Sequence, residues 1–194
     1  MVNEIIREVN ICLNNGCCIA GLSLALTLPD ICGKAYYPEL GNKRRYIKWF
    51  DENLGQPKND FERTLFGMPD LCGAVVYSLR CSLLHQGNPN IKENEFGIIY
   101  FELLYQRKEG AHIVAGSSEA QIIKDENGND KAVNKKFTVN VRDLCWKICR
   151  LAEVCYKEDK DKFNFFNYNL VDIDYRTRRV FGIKDSKVIK WKER

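Results

Sequence analysis

Two side chains in this sequence combine types and spacing suited to chemistry: Arg80 and His85, in the run YSLRCSLLHQGNP. An imidazole with an ordinary pKa of about 6.5 can take or give a proton near neutral pH. A guanidinium stays charged and offers oxyanions a planar fork of donors. Ser82 lies between the two and Asn88 just beyond them. No Walker loop, GxGxxG, GxSxG or HExxH is present, so the chain carries no sequence sign of an NTPase, Rossmann, serine-hydrolase or zincin site. With only His85 and His112, a His-rich metal centre is excluded, and no metal or cofactor is expected. His112 reads as a loop or strand-edge histidine. Asp143, Asp172 and Asp174 have spacings that select no metal.

The element that must position Arg80 and His85 is the stretch Pro69 to Pro89. Pro69 and Asp70 suit a helix start, with Asp70 as a possible cap, and Gly87 followed by Pro89 suits its end. Cys72, Val76, Leu79 and Leu83 recur at helical spacing and form one apolar stripe. Ala74, Ser78, Cys81 and His85 fall on roughly the opposite side, a small and weakly polar seam that a second helix can approach closely. Arg80 lies between the two seams. Arg80 and His85 are about 140° apart on the wheel, so one copy of the chain is not expected to converge both on one phosphate.

The rest of the chain has an ordinary globular balance, with 45% apolar and 29% charged residues. Its 194 residues allow one domain with a proper core, alone or with an insertion. A net charge of +4 permits an anionic partner without demanding one. The nine cysteines include no CxxC and sit mostly in apolar helical contexts, which reads as free thiols in a reducing cytoplasm. The longest apolar run, Cys17 to Leu28, is short of the roughly 20 residues a membrane span needs. NEIIREVN before it does not suit a signal peptide. A cytoplasmic protein without a membrane span is expected.

In chain order, a first helix is expected from Val2 to about Leu28, kinked or split at Asn14-Asn15-Gly16 and closed by Pro29, its apolar second half central to a bundle. Pro29-Asp30-Ile31-Cys32-Gly33 with Tyr37 is echoed forty residues later by Pro69-Asp70-Leu71-Cys72-Gly73 with Tyr77. The echo reads as two Pro/Asp helix starts with a small glycine contact surface, ahead of a true duplication. Lys43 to Leu54 reads as an amphipathic helix with Tyr46, Ile47, Phe50 and Leu54 inward. Its basic cluster, Lys43, Arg44, Arg45 and Lys48, interleaved with Tyr46 and Trp49, is either a solvated face or a surface that holds RNA phosphates and stacks a base. Phe96 to Tyr105 is strand or helix, and His112 to Ala115 a short strand candidate. Ala120 to Ile123 and Ala132 to Val139, around Asn127-Gly128, predict an antiparallel β-hairpin, with up to three strands inserted at about 96–139. Asn140 to Tyr156 returns to helix, capped by Asn140. Phe163 to Tyr168 is a docked loop or an aromatic contact surface, and the basic tail is weakly specified.

The run around Arg80 resembles the signature helix of the HEPN family. There an Arg and a His four to six residues later sit in a segment like "LRNSLLH(Q/E)G". Arg80, His85 and the flanking Leu79, Ser82, Leu83, Leu84 and Gly87 carry the likeness, which covers Pro69 to Pro89 and is expected to extend over the helical part, residues 1–90. Cys81 stands where members often have a polar residue such as Asn, a place Ser82 can fill as an auxiliary group. The resemblance implies a mainly α fold, an up-and-down helical bundle of HEPN type. It further implies a homodimer across Ala74, Ser78 and Cys81, with Arg80 and His85 as catalytic residues of a metal-independent endoribonuclease. Such a protein would work in a toxin–antitoxin or defence system with a possible partner protein. Its products would be a 2′,3′-cyclic phosphate or 3′-phosphate and a 5′-hydroxyl. Three readings of the pair stay open: an RNase site, a non-catalytic RNA- or nucleotide-binding or regulatory surface, and a structural Arg beside a helix-end His favoured by the dipole.

Overall fold

Six α-helices and four strands make up the described chain, which is mainly helical. The computed structural model describes residues 2–55, 71–94, 97–105, 118–124 and 130–165. The expected first helix is two. Helix α1 (Val2–Asn14) buries Val2, Ile5, Val9 and Leu13, a stripe at spacings of three and four. Asn15 donates its side-chain amide to the Ile11 carbonyl at 2.8 Å, and Gly16, at φ 77°, turns the chain into α2 (Cys18–Ala25). Pro29 does not close this segment; it opens α3 (Leu28–Tyr36), where its fixed φ and missing N–H suit a first turn.

By length and composition alone Cys18–Tyr36, which spans α2 and α3, is apolar enough to cross a membrane. The shorter run counted from the sequence stopped at Pro29 and missed this. Half of the stretch is buried in the helical core, where Leu22, Ala25, Leu26, Leu28 and Cys32 are fully enclosed.

Helix α4 (Asn42–Phe50) runs into a π-turn, Asp51–Gly55. Its inward face is Tyr46, Trp49, Phe50 and Leu54, with Ile47 only half-buried. Helix α5 (Gly73–Gln86) buries Val75, Val76, Leu79, Ser82 and Leu83. Burying a side chain such as Leu79 contributes about 1.5–3 kcal/mol, which anchors the helix in the core, where it packs against α4. Pro69 and Asp70 lie outside the described residues. The first N–H of α5, on Gly73, donates to the Asp51 carboxylate at 2.6 Å. Gly87, at φ 65°, closes α5 in the left-handed region, its N–H donating to Leu83.

Between α5 and α6 lies a four-stranded sheet ordered β1-β2-β4-β3, of β1 (Ile91–Asn94), β2 (Gly97–Leu104), β3 (Ser118–Lys124) and β4 (Asp130–Asn140). The sheet departs from the expected hairpin in its centre, where β2 runs parallel to β4 with Ile98 opposite Asn134. β3 lies antiparallel to β4. Asn127-Gly128, His112–Ala115 and the tail from 166 on lie outside the described residues. Phe101, Phe137 and Val139 join the sheet to the helical core.

Helix α6 (Val141–Glu158), rather than α2, is the element most of the others lean on: it packs against α1, α2 and α3. Asn140 caps it by accepting from the Asp143 N–H at 3.2 Å. Arg142 donates to the Leu13 carbonyl at 2.9 Å and to Asn14, satisfying the end of α1. Asp143 is engaged with the buried Lys147 at 3.0 Å. Phe163 is buried edge-on to Tyr36 and Tyr156, while Phe165 is exposed under Lys34. All nine thiols are free; Cys32, Cys145, Cys149 and Cys155 are buried and Cys17 is exposed.

Candidate functional site

Arg80 projects from the middle of α5 and reaches two groups at once. Its Nε and Nη2 donate to Oδ2 of Asp30, in the first turn of α3, at 3.1 and 3.0 Å. Its Nη1 lies 3.3 Å from Nε2 of His85 and 3.9 Å from the Cys81 Sγ. Arg80 and His85 therefore touch within one chain although they stand about 140° apart on the wheel. Five helical residues rise about 7.5 Å. A guanidinium can cover that distance along the axis while swinging around it, which a projection of Cα positions does not register.

The Asp30–Arg80 pair sits half out of water, its side chains 21% and 23% exposed. Burial pushes the Asp30 carboxyl above its ordinary value, and the Arg80 charge and hydrogen bond, helped by Arg45, pull it back only in part. Burial alone would lower the Arg80 guanidinium; Asp30, Cys81 and Tyr77 more than reverse this, so it remains a fixed cation. Behind the pair stand two phenols. Tyr77 stands beside Cys81 and meets Tyr46 edge-on at 5.2 Å. Tyr46 is fully buried, and its hydroxyl has no hydrogen-bond partner among the described residues. Burial, then Asp30, holds Tyr46 well above the ordinary phenol range, so it stays a protonated donor facing this cluster.

The other anticipated residues divide. Ser82 is buried on the core side of α5 and donates to the Asn90 carbonyl at 3.0 Å, so it ties α5 to β1 and is not an auxiliary of the pair. Asn88 likewise accepts from the Asn90 N–H at 2.9 Å and shapes the turn. Cys81 is beside Arg80, as its position implies. Ala74 and Ser78 are half-buried, Ser78 bonding back to the Ala74 carbonyl at 2.9 Å, and Leu84 is exposed next to His85. On α4, Lys43, Arg44 and Lys48 are exposed and Arg45 half-buried. Lys48 pairs with Glu52 at 3.9 Å and covers the Tyr37 ring, and Tyr37 bonds to Glu52. Tyr46 and Trp49, both in the core, are not available to stack a base.

Asp30 is the site residue that sequence reasoning missed. The forty-residue echo had marked it, but only as a helix start. Asp30 and Arg80 give the site a charged, anchored donor array, and His85 gives it an exposed imidazole at the end of a helix. Together they can bind an oxyanion and move a proton beside it. No family model, no curated protein and no solved structure matches this chain.

Proposed function

We propose that this protein is a HEPN-like, metal-independent endoribonuclease that works as a homodimer on RNA, in a defence or toxin–antitoxin setting. The observation that carries the reading is the 3.3 Å contact of the Asp30-anchored Arg80 with the exposed His85. RNA cleavage without a metal needs a base for the 2′-hydroxyl, positive charge on the phosphorane and an acid for the leaving oxygen. A neutral His85 takes the 2′-hydroxyl proton as the O2′–P bond forms. Arg80 balances the charge gathering on the phosphoryl oxygens. The P–O5′ bond breaks, and the imidazolium of His85 from a second copy, across the Ala74/Ser78/Cys81 seam and out of contact with its own Arg80, gives its proton to O5′ and is left neutral. The products are a 2′,3′-cyclic phosphate and a 5′-hydroxyl.

The test is cleavage of RNA by purified protein in EDTA, wild type beside Arg80→Ala and His85→Ala. EDTA-resistant cleavage with cyclic-phosphate ends, reduced about 10²–10⁴-fold in each variant, is expected. A second reading, an RNA- or nucleotide-binding module, is favoured by the exposed Lys43, Arg44 and Lys48 of α4. Binding that weakens steeply with salt and never turns over would decide for it.

A further inference from the structure

The contact between Arg80 and His85 has one chemically possible polarity. An arginine side chain carries five N–H donors and no acceptor. At 3.3 Å, Nη1 must therefore donate and His85 Nε2 must accept. An accepting Nε2 holds a lone pair, so the imidazole in this contact is neutral and its proton is on Nδ1. A protonated imidazole has donors at both nitrogens and would place two cations together.

We infer that Arg80 is a latch on His85: it holds the ring in the neutral Nδ1–H tautomer with the Nε2 lone pair covered, and a phosphodiester that draws Nη1 to itself uncovers that lone pair. The inference deepens the nuclease reading of this site and rests on it for its use. The latch is hinged on one side only. Asp30 Oδ2 holds Nε and one N–H of Nη2, so the Nη1 end, which faces His85 and lies 3.9 Å from the Cys81 Sγ, is the end turned away from the anchor and placed to change partners. The guanidinium need not leave its anchor to meet a phosphate; it exchanges one bond while keeping two. Among the described residues, the groups that face it are Asp30 from α3, Tyr46 from α4, and Tyr77 and Cys81 from α5, with Arg45 of α4 acting on Asp30. Asp30 is the one carboxylate among these described groups. An incoming anion therefore meets a cationic face at Nη1, with the Asp30 charge already committed behind it. Keeping the lone pair covered until a phosphate arrives leaves the base idle without substrate. It also means that the group that binds the phosphate and the group that frees the base are the same guanidinium.

The experiment is ¹⁵N NMR of the imidazole nitrogens in the full-length protein, at about pH 8, well above an ordinary imidazole's value of about 6.5. The chain has two histidines, and His112→Gln assigns their signals. Wild-type His85 is expected to show Nδ1 protonated and Nε2 bare, the reverse of the tautomer most histidines take in water. Arg80→Met, which keeps the bulk and removes the donors, returns His85 to the common Nε2–H form. A 2′-deoxy oligonucleotide, which cannot be cleaved, shifts Nε2 in the wild type; its uncharged methylphosphonate analogue does not. A wild-type Nε2–H tautomer overturns the latch, even if Arg80→Met fails to fold. So does a tautomer unmoved in a folded Arg80→Met, or an oligonucleotide that binds and leaves Nε2 unchanged. The two ideas fail separately. The latch without any RNA cleavage retires the nuclease and keeps the latch, while cleavage with an Nε2–H His85 does the reverse.

Discussion

Asp30 does two opposed things in one place. Its ionised carboxylate anchors Arg80 through two hydrogen bonds, yet burial disfavours that ionised form and lifts its pKa above the ordinary value. Between the unfolded value and the raised folded one, the native state binds more protons than the unfolded state. Stability therefore falls as pH rises through that window, and the loss is complete above the folded value. Asp30→Asn should lack this fall, which urea midpoints of the two proteins across the mildly acidic range would reveal. A wild type whose stability relative to Asp30→Asn rises with pH there would contradict the account. Cleavage should move the other way in the wild type, appearing as Asp30 ionises and takes hold of Arg80. At this scale the sequence exposed Arg80 and His85 through their spacing. It hid their contact, because a helical wheel ignores side-chain length. It also hid Asp30, fifty residues away from its partner and brought there only by the packing of α3. Ser82 went astray for the opposite reason: two residues past Arg80 on a helix is most of the way to the core side.

Helix α4 is gripped between α3 and α5, and the glycine of each copy of the PD-x-CG echo is where the grip is tightest. A Cβ on Gly33 would lie 2.7 Å from the Arg45 carbonyl oxygen; one on Gly73 would lie 2.7 Å from that of Ile47. Both obstacles are backbone atoms of α4 and cannot swing aside. Alanine at a helical glycine gains up to about 1 kcal/mol in propensity. Overpacking against rigid backbone costs about 1–3 kcal/mol. Gly33→Ala and Gly73→Ala should therefore each destabilise, shifting the urea midpoint down with the slope unchanged. Gly41→Ala, with open space around it, should stay within about 0.5 kcal/mol. Equal midpoints for all three would remove the close approach as the reason for these glycines. The repeated motif was thus readable as a small contact surface, and the helices were readable from their apolar periods. The α1–α2 break followed from Asn14-Asn15-Gly16. The parallel pairing of β2 with β4 was not readable, since it joins segments thirty-six residues apart whose register is set by neither turn nor pattern.

For the whole molecule, the question is whether the working site belongs to one chain or is shared. Asp30, Arg80 and His85 are joined by contacts made inside a single copy. The seam of Ala74, Ser78 and Cys81 beside them is only half-buried and its side chains are small, which suits the close approach of a second α5. If the proposed dimer uses this seam, Ser78→Arg, which puts a long charged side chain into that approach, should give a monomer by sedimentation where the wild type gives a dimer. On the nuclease proposed above, the monomer should also lose cleavage, since it would keep the proposed base and Arg80 but have no second imidazole for the leaving oxygen. A monomer that still cleaves at the wild-type rate would sink the shared acid. Mixing Arg80→Ala with His85→Ala then tests whether Arg80 and His85 act from the same chain. In such a mixed dimer no chain has both Arg80 and His85. A latch and base built within one chain predicts that the mixture stays as inactive as either variant alone after subunit exchange. Recovery on mixing would instead place the Arg80 and His85 that react on opposite chains, and the contact within one copy would then be a resting arrangement that the dimer takes apart.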